Sequence, residues 1–256
     1  MKMTPKSMEM LLIRHCEDEK WNDPSRECAE RWSKWHSTTH IQKNRKSKCS
    51  YDPCLTENGC LEATTGCSRR RGSYGGVKGG LLPIVTRYDA DVVFCSPLSR
   101  AIQTAIMVHG SDTEKDVQII VHPVLKEIKP DVTYAGRFPK GKPSCVPLPF
   151  EDLRASVKRC SPKAYSRFDW SALKAACDSD GYYFDAAESY ETMKKNIRVF
   201  LESVEKLTAR GISKIAVITH GGVIQEILQS PKKITHGSYA VARIANGLVE
   251  GASYGP

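Results

Sequence analysis

The chain has 256 residues, 40% of them hydrophobic and 26% charged, which excludes a disordered polypeptide and allows one large α/β domain with a sizeable core. A net charge of +9 favours anionic partners: phosphorylated metabolites, phosphoproteins or nucleic acid. No apolar stretch is long enough to span a bilayer and Met1–Glu9 lacks a signal-peptide centre, so the expected setting is cytoplasmic, with ten reduced cysteines.

Met10, Leu11, Leu12 and Ile13 form a short apolar run that ends in Arg14 and His15. Such a run reads as a buried strand, and its C-terminal end is where open parallel α/β sheets bind ligands. Glu17–Ser50 is polar, with Trp21, Trp32 and Trp35 among charges, and is expected to flank a pocket beside that strand end. Cys28, Cys49, Cys54, Cys60 and Cys67 with His36 and His40 make a zinc-binding insertion conceivable, but scattered buried thiols are the simpler reading. Asp52-Pro53-Cys54-Leu55-Thr56 opens a helix, with Thr56 as N-cap and Leu61 facing inward. Arg69-Arg70-Arg71 and the glycines from Gly72 to Gly80 then stop it in a surface loop. Nucleic-acid binding by these arginines lacks the interleaved aromatic pattern and is set aside.

Val92–Phe94 is a second strand, breaking at Ser96-Pro97, an N-cap and first-turn proline. Leu98, Ala101, Ile102, Ala105 and Ile106 keep helical spacing up to Gly110. Arg100 then falls in a first helical turn, where unpaired N–H groups and the helix dipole favour an anion. Val117–Val121 is a third strand leading to Leu125 and Glu127, and Pro130–Asp180 reads as an inserted lid or cap of short helices. Asp185 and Glu188 have capping-box spacing ahead of a helix whose core face is Tyr190, Met193, Ile197, Phe200, Val204 and Leu207, ending at Gly211. Ile215–Ile218 is a fourth strand, ending in Thr219-His220-Gly221-Gly222; a helix follows through Ile224, Ile227 and Leu228, and Tyr239–Ile244 is a last strand before a small tail.

Alternating strands and helices predict a three-layer α/β sandwich: a mainly parallel sheet with helices on both faces. A single domain over 8–248, with the cap inserted at about 130–184, accommodates every element. Arg14, His15, Arg100 and His220 all fall at strand ends that share one edge of such a sheet, where residues distant in sequence converge.

Taken together, L-L-I-R-H-C-E, D-P-C-L-T-E-N-G-C-L-E-A, S-P-L-S-R-A-I-Q-T-A, L-K-E and V-I-T-H-G-G-V-I resemble the histidine phosphatase (phosphoglycerate-mutase-like) superfamily. Ala187-Glu188-Ser189 is similar to the family's Gly-Glu-Ser helix start. The resemblance implies that His15 is the nucleophile accepting a phosphoryl group, with Arg14 and Arg100 as clamps on its oxygens. It makes His220 the second histidine of the pocket and Glu127 the proton donor, with no metal and no cofactor. The implied substrate is a phosphorylated small molecule or a phosphoprotein.

Three departures stand out. Cys16 replaces the usual small residue, and two readings are open: a thiol beside a cationic pocket that is oxidisable as the thiolate, or one packed under the strand end and inert. The stretch after Glu127, I-K-P-D-V-T-Y-A-G-R-F, lacks the Arg-His-Tyr-Gly continuation of the mutases, and Trp21-Asn22 lies one residue further from His15 than in them. These favour hydrolysis over a cofactor-dependent phosphoglycerate-type mutase. A catalytically weak phospho-ligand-binding scaffold is the alternative from outside the enzymes.

Overall fold

Among the described residues of the computed structural model (7–18, 52, 54–65, 79–110, 116–127, 148–179, 181 and 189–255), seven strands form one sheet. At its centre β1 (Met8–Arg14) runs parallel to β5 (Lys214–Thr219), with Leu12 opposite Val217. Beyond β5 come β2 (Val92–Cys95), β3 (Ile119–Val121) and β4 (Phe168–Asp169), all parallel. Beyond β1 come β6 (Tyr239–Ala245) and β7 (Leu248–Tyr254), both antiparallel to their neighbours. The order is therefore β4-β3-β2-β5-β1-β6-β7, a mainly parallel α/β sheet.

Strand side chains alternate between faces, and this alternation divides the interior into two cores. Leu11 and Ile13 of β1, with Ala216 and Ile218 of β5, enter one core. It is covered by α1 (Glu57–Thr64), α2 (Leu82–Tyr88), α3 (Ser99–His109) and α4 (Phe150–Cys160). Met10 and Leu12, with Ile215 and Val217, enter the other, covered by α7 (Tyr190–Glu205) and α8 (Gly221–Leu228). Burial on both faces is why β1 and β5 are continuous apolar runs rather than alternating ones.

The best-patterned helix shows what holds such an element. Met193, Ile197, Phe200, Leu201 and Val204 of α7 are buried, and each such side chain contributes about 1.5–3 kcal/mol. Its N-cap is Ser189, whose hydroxyl accepts from the Thr192 amide at 3.1 Å, a contact worth about 1 kcal/mol. Packing therefore outweighs capping here. The Asp185/Glu188 box lies outside the described residues.

Several local expectations are revised. Thr56 caps α1 as expected, its hydroxyl accepting from Gly59 N–H at 3.0 Å, but Leu61 is exposed and Cys60 and Ala63 are the inward residues. The helix ends at Thr64, and Arg69–Arg71 lie outside the described residues, as do Trp21, Trp32 and Trp35. Leu82–Tyr88 is a helix that periodicity did not reveal. After β6 the chain does not trail away: Asn246 (φ 55°) and Gly247 (φ 70°) make a tight turn with two positive φ angles, and β7 returns along β6. Between 130 and 184 the described residues are 148–179 and 181, where α4, α5 (Pro162–Tyr165), β4 and α6 (Ser171–Ala175) form. There Phe150, Leu153, Val157, Phe168, Trp170 and Leu173 pack into the first core, and β4 extends the sheet beside β3.

Candidate active site

The central strand pair delivers two histidines to one point. His15 N–H donates to Thr219 O at 2.9 Å, continuing the β1–β5 register past the strand end and setting His15 beside His220. Their ring centroids are 4.9 Å apart, and both side chains are buried. Arg100 arrives from α3 and bridges them: Nε donates to His15 Nε2 at 3.2 Å, and Nη2 lies 3.2 Å from His220 Nδ1.

Guanidinium nitrogens only donate, so these contacts assign both tautomers. His15 Nδ1 is 2.8 Å from the Cys16 carbonyl and carries the proton, leaving a lone pair on Nε2. His220 Nε2 lies 2.8 Å from Ser96 Oγ and carries its proton, leaving Nδ1 facing the pocket. Burial first, and then Arg100, His220, His236 and Arg14, hold the His15 pKa well below its ordinary value, so the ring is neutral at pH 7.

Glu127 follows the 3₁₀ turn Pro123–Leu125, which is tied to the end of β5 by Thr219 Oγ1 donating to Leu125 O at 2.7 Å. Its Oε2 stands 3.8 Å from His220 Nδ1 and 3.9 Å from Arg100 Nη2. Arg14 Nη1 donates to Ile234 O at 2.7 Å, and Nη2 is 2.7 Å from His236 Nε2. The structure thus brings together all five expected residues, Arg14, His15, Arg100, Glu127 and His220.

Four neighbours were given no place in the pocket by the sequence. His236 lies 5.1 Å from His15, ring to ring, and belongs to a second Ile-Thr-His-Gly (234–237) that repeats residues 218–221, a signal the sequence does carry. Ser96 orients His220 and accepts the Leu98 amide at 3.2 Å, so it caps from inside the bend while α3 starts only at Ser99. Asp18 Oδ2 is 3.4 Å from Arg100 Nε. Asp52 accepts the Ser99 amide on both oxygens at 2.9 Å and the Ser99 hydroxyl at 2.7 Å, and its Oδ1 is 3.9 Å from Arg100 Nη1. The anion expected at that helix start is therefore the chain's own carboxylate. Burial pushes the Asp52 pKa up to about 6, against the opposing pull of Arg100 and Ser99.

Cys16 takes the packed position of the two open to it. Its side chain is fully buried, its amide donates to Thr104 Oγ1 at 3.1 Å, and burial with the nearby Glu62 raises its thiol pKa well above the usual value. Cys16 packs in the first core, where burial disfavours the thiolate that oxidation requires. Cys54 and Cys60 also lie in the first core.

Glu62 braces the pocket from below. Its Oε2 accepts the Glu17 amide at 2.7 Å and it packs against Gly237, joining the turns that carry His15 and His236. Burial pushes its pKa up to about 7. A carboxyl raised in this way adds stability below its unfolded pKa near 4.5, and that contribution is lost as pH rises towards 7. Glu62→Gln keeps an acceptor without the charge, so its melting temperature relative to wild type is expected to rise between pH 4 and pH 8. Thermal unfolding at the two pH values measures this, and a difference that is independent of pH would contradict it.

His15, Glu127 and His220 present donor atoms within 4.8 Å of one another, a spacing suited to a metal ion. Arg100 is hydrogen-bonded to both histidines and would repel a cation there, whereas an anion would meet its guanidinium.

The chain has the α/β fold of phosphoglycerate mutase, a mainly parallel sheet between layers of helices. Two solved structures are similar over nearly its whole length. The ecdysone phosphate phosphatase from Bombix mori, in complex with tungstate, is 14% identical with a TM-score of 0.54, covering 94% of this chain and 93% of that one. Phosphoglycerate mutase from Bacillus anthracis str. Sterne is 15% identical with a TM-score of 0.51, covering 96% and 91%. At these identities the likeness is one of fold. No family model matches the sequence, and no curated protein matches it.

Proposed function

We propose that the protein is a metal-independent phosphatase that hydrolyses a phosphate monoester through a phosphohistidine at His15. The observation that carries this reading is the neutral His15 Nε2 lone pair held 3.2 Å from Arg100 Nε, inside a guanidinium that also reaches His220. Phosphoryl transfer needs positioning and cancellation of charge on the equatorial oxygens, which arginine forks supply. Arg100 Nε donates to the nucleophilic Nε2 of His15. A phosphoryl group that takes over the Arg100 N–H donors uncovers the lone pair at the moment it arrives.

The steps balance. Nε2 attacks phosphorus, the bond to the ester oxygen breaks, and Glu127, in the role of proton donor, gives a proton to the leaving alcohol. Glu127, now a carboxylate, takes a proton from water as the water oxygen attacks phosphorus. The P–Nε2 bond breaks, phosphate leaves, and neutral His15 and protonated Glu127 are regenerated. Such acid–base help is worth about 10²–10⁴-fold. Arg14 and Arg100 hold the oxygens throughout, while His220 Nδ1 accepts from Arg100 Nη2 and orients that clamp.

The substrate is a phosphorylated small molecule or phosphoprotein, and a reducing cytoplasm suits the buried thiols of Cys16 and Cys95. No helix among the described residues is long and apolar enough to cross a membrane. In the presence of chelator the protein is expected to hydrolyse p-nitrophenyl phosphate, and rapid acid-free quenching with labelled substrate should trap a base-stable, acid-labile phosphoenzyme. Turnover that vanishes with chelator and returns with a divalent ion would overturn the reading. Isomerisation that depends on a bisphosphorylated cofactor, without hydrolysis, would replace it with the mutase reading.

A further inference from the structure

Among the described residues, Asp18 stands at the mouth of the pocket beside Arg100, and its position bears on which esters the site accepts. Arg100, His220 and Glu127 form the floor, with side chains 2%, 0% and 6% exposed, whereas His236 and Asp18 are 16% and 23% exposed and stand nearer solvent. Asp18 Oδ2 is 3.4 Å from Arg100 Nε, the nitrogen that also donates to His15 Nε2, and Oδ1 is 3.9 Å from His236 Nε2. Among the described residues, the other charges beside it include Arg14, which pairs with His236, and the carboxyls of Glu17 and Glu62.

Asp18 does not sit on a loose loop. Its backbone is bridged to Leu55, and the preceding carbonyl, Glu17 O, accepts the Thr56 amide at 3.0 Å. A Cβ at Gly59 would come within 2.1 Å of that carbonyl oxygen, so the glycine lets α1 press against the turn. The carboxylate is therefore built into the mouth.

We infer that Asp18 selects the alcohol part of the substrate, favouring phosphate monoesters of amino alcohols, with an ammonium group near the ester oxygen, over esters carrying a second anion there. This rests on the phosphatase reading above. A phosphoryl group bound at His15 needs the Arg100 Nε–H that Asp18 now shares. Once that donor turns to phosphate, Asp18 loses part of its compensation, and the projecting alcohol passes beside it. An ammonium group restores the balance, a neutral alcohol leaves it unchanged, and a carboxylate or second phosphate meets a like charge at short range.

The test compares O-phosphoethanolamine, glycerol phosphate and 3-phosphoglycerate with wild type, Asp18→Asn and Asp18→Ser, together with calorimetric binding of inorganic phosphate. Wild type is expected to prefer phosphoethanolamine to 3-phosphoglycerate by about tenfold or more in kcat/KM, and both variants to shrink that ratio to within about threefold. Inorganic phosphate should bind both variants more tightly, because no carboxylate competes for Arg100. A ratio unchanged by the substitutions, or phosphate binding that is unchanged or weaker, overturns the role of Asp18. If no ester is turned over at all, the phosphatase reading fails, and the phosphate affinities still decide whether Asp18 opposes anions at the clamp.

Discussion

The His15→Ala protein is expected to lose at least about 10³-fold in kcat towards any phosphate monoester and to form no phosphoenzyme, because its covalent route is gone. Loss of activity by unfolding is separable from loss of the nucleophile. The His15 amide still donates to Thr219 O, so the β1–β5 register survives the truncation. Arg100 Nε, no longer engaged by His15 Nε2, remains aimed into the pocket. Inorganic phosphate should therefore bind the variant at least as well as wild type. Steady-state assays, quench labelling and calorimetry together check this. A variant that retains phosphate binding and full turnover would remove His15 from the chemistry.

Arg100→Lys is expected to lower kcat/KM by about 10²–10⁴-fold despite conserving the charge. One ammonium cannot reproduce a fork whose Nε reaches His15 while Nη2 reaches His220 and Nη1 faces Asp52. Arg100→Ala is the harsher change. It leaves Asp52, Glu127 and Asp18 around a buried space without their shared cation, and breaking a buried pair from one side costs about 3–5 kcal/mol. That variant should melt lower, by more at pH 8 than at pH 5, because Asp52 has a pKa of about 6 and charges across this interval. The lysine variant, melting near wild type, isolates the catalytic loss. Kinetics near those of wild type for Arg100→Lys would mean that charge alone, without fork geometry, serves the site.

Long, strongly periodic elements were legible in the chain, whereas the short helix Leu82–Tyr88 and the inward face of Glu57–Thr64 were not. The run Met10–Ile13 names the central strand, and the steps of three and four from Met193 to Val204 name α7 and its buried face. Strand ends in a parallel sheet share one edge, so the strand pattern by itself brought His15, Arg100 and His220 to one place. Glu127 came from the family resemblance alone, since a carboxylate in a loop has no period to betray it.

Contacts across long sequence separations needed the folded chain. Asp52 caps α3 from 47 residues away, so Ser96-Pro97 looked like the helix start while the first amide of the helix was reserved for a distant carboxylate. His236 meets Arg14 across 222 residues, and its Ile-Thr-His-Gly repeat hints at a role without saying which wall it joins. Cys16 shows the same limit in reverse. Its neighbour His15 faces the charged pocket, while the next side chain along the strand end turns into the apolar core, where a thiolate is disfavoured. The sequence by itself determined the alternation of elements, the central strand, the best-patterned helix and the residue types that suit phosphoryl transfer. Tertiary structure alone decided which carboxylates surround Arg100, which histidine lone pair faces it and where Asp18 stands, because those depend on side chains meeting through space between elements whose local patterns are independent of one another.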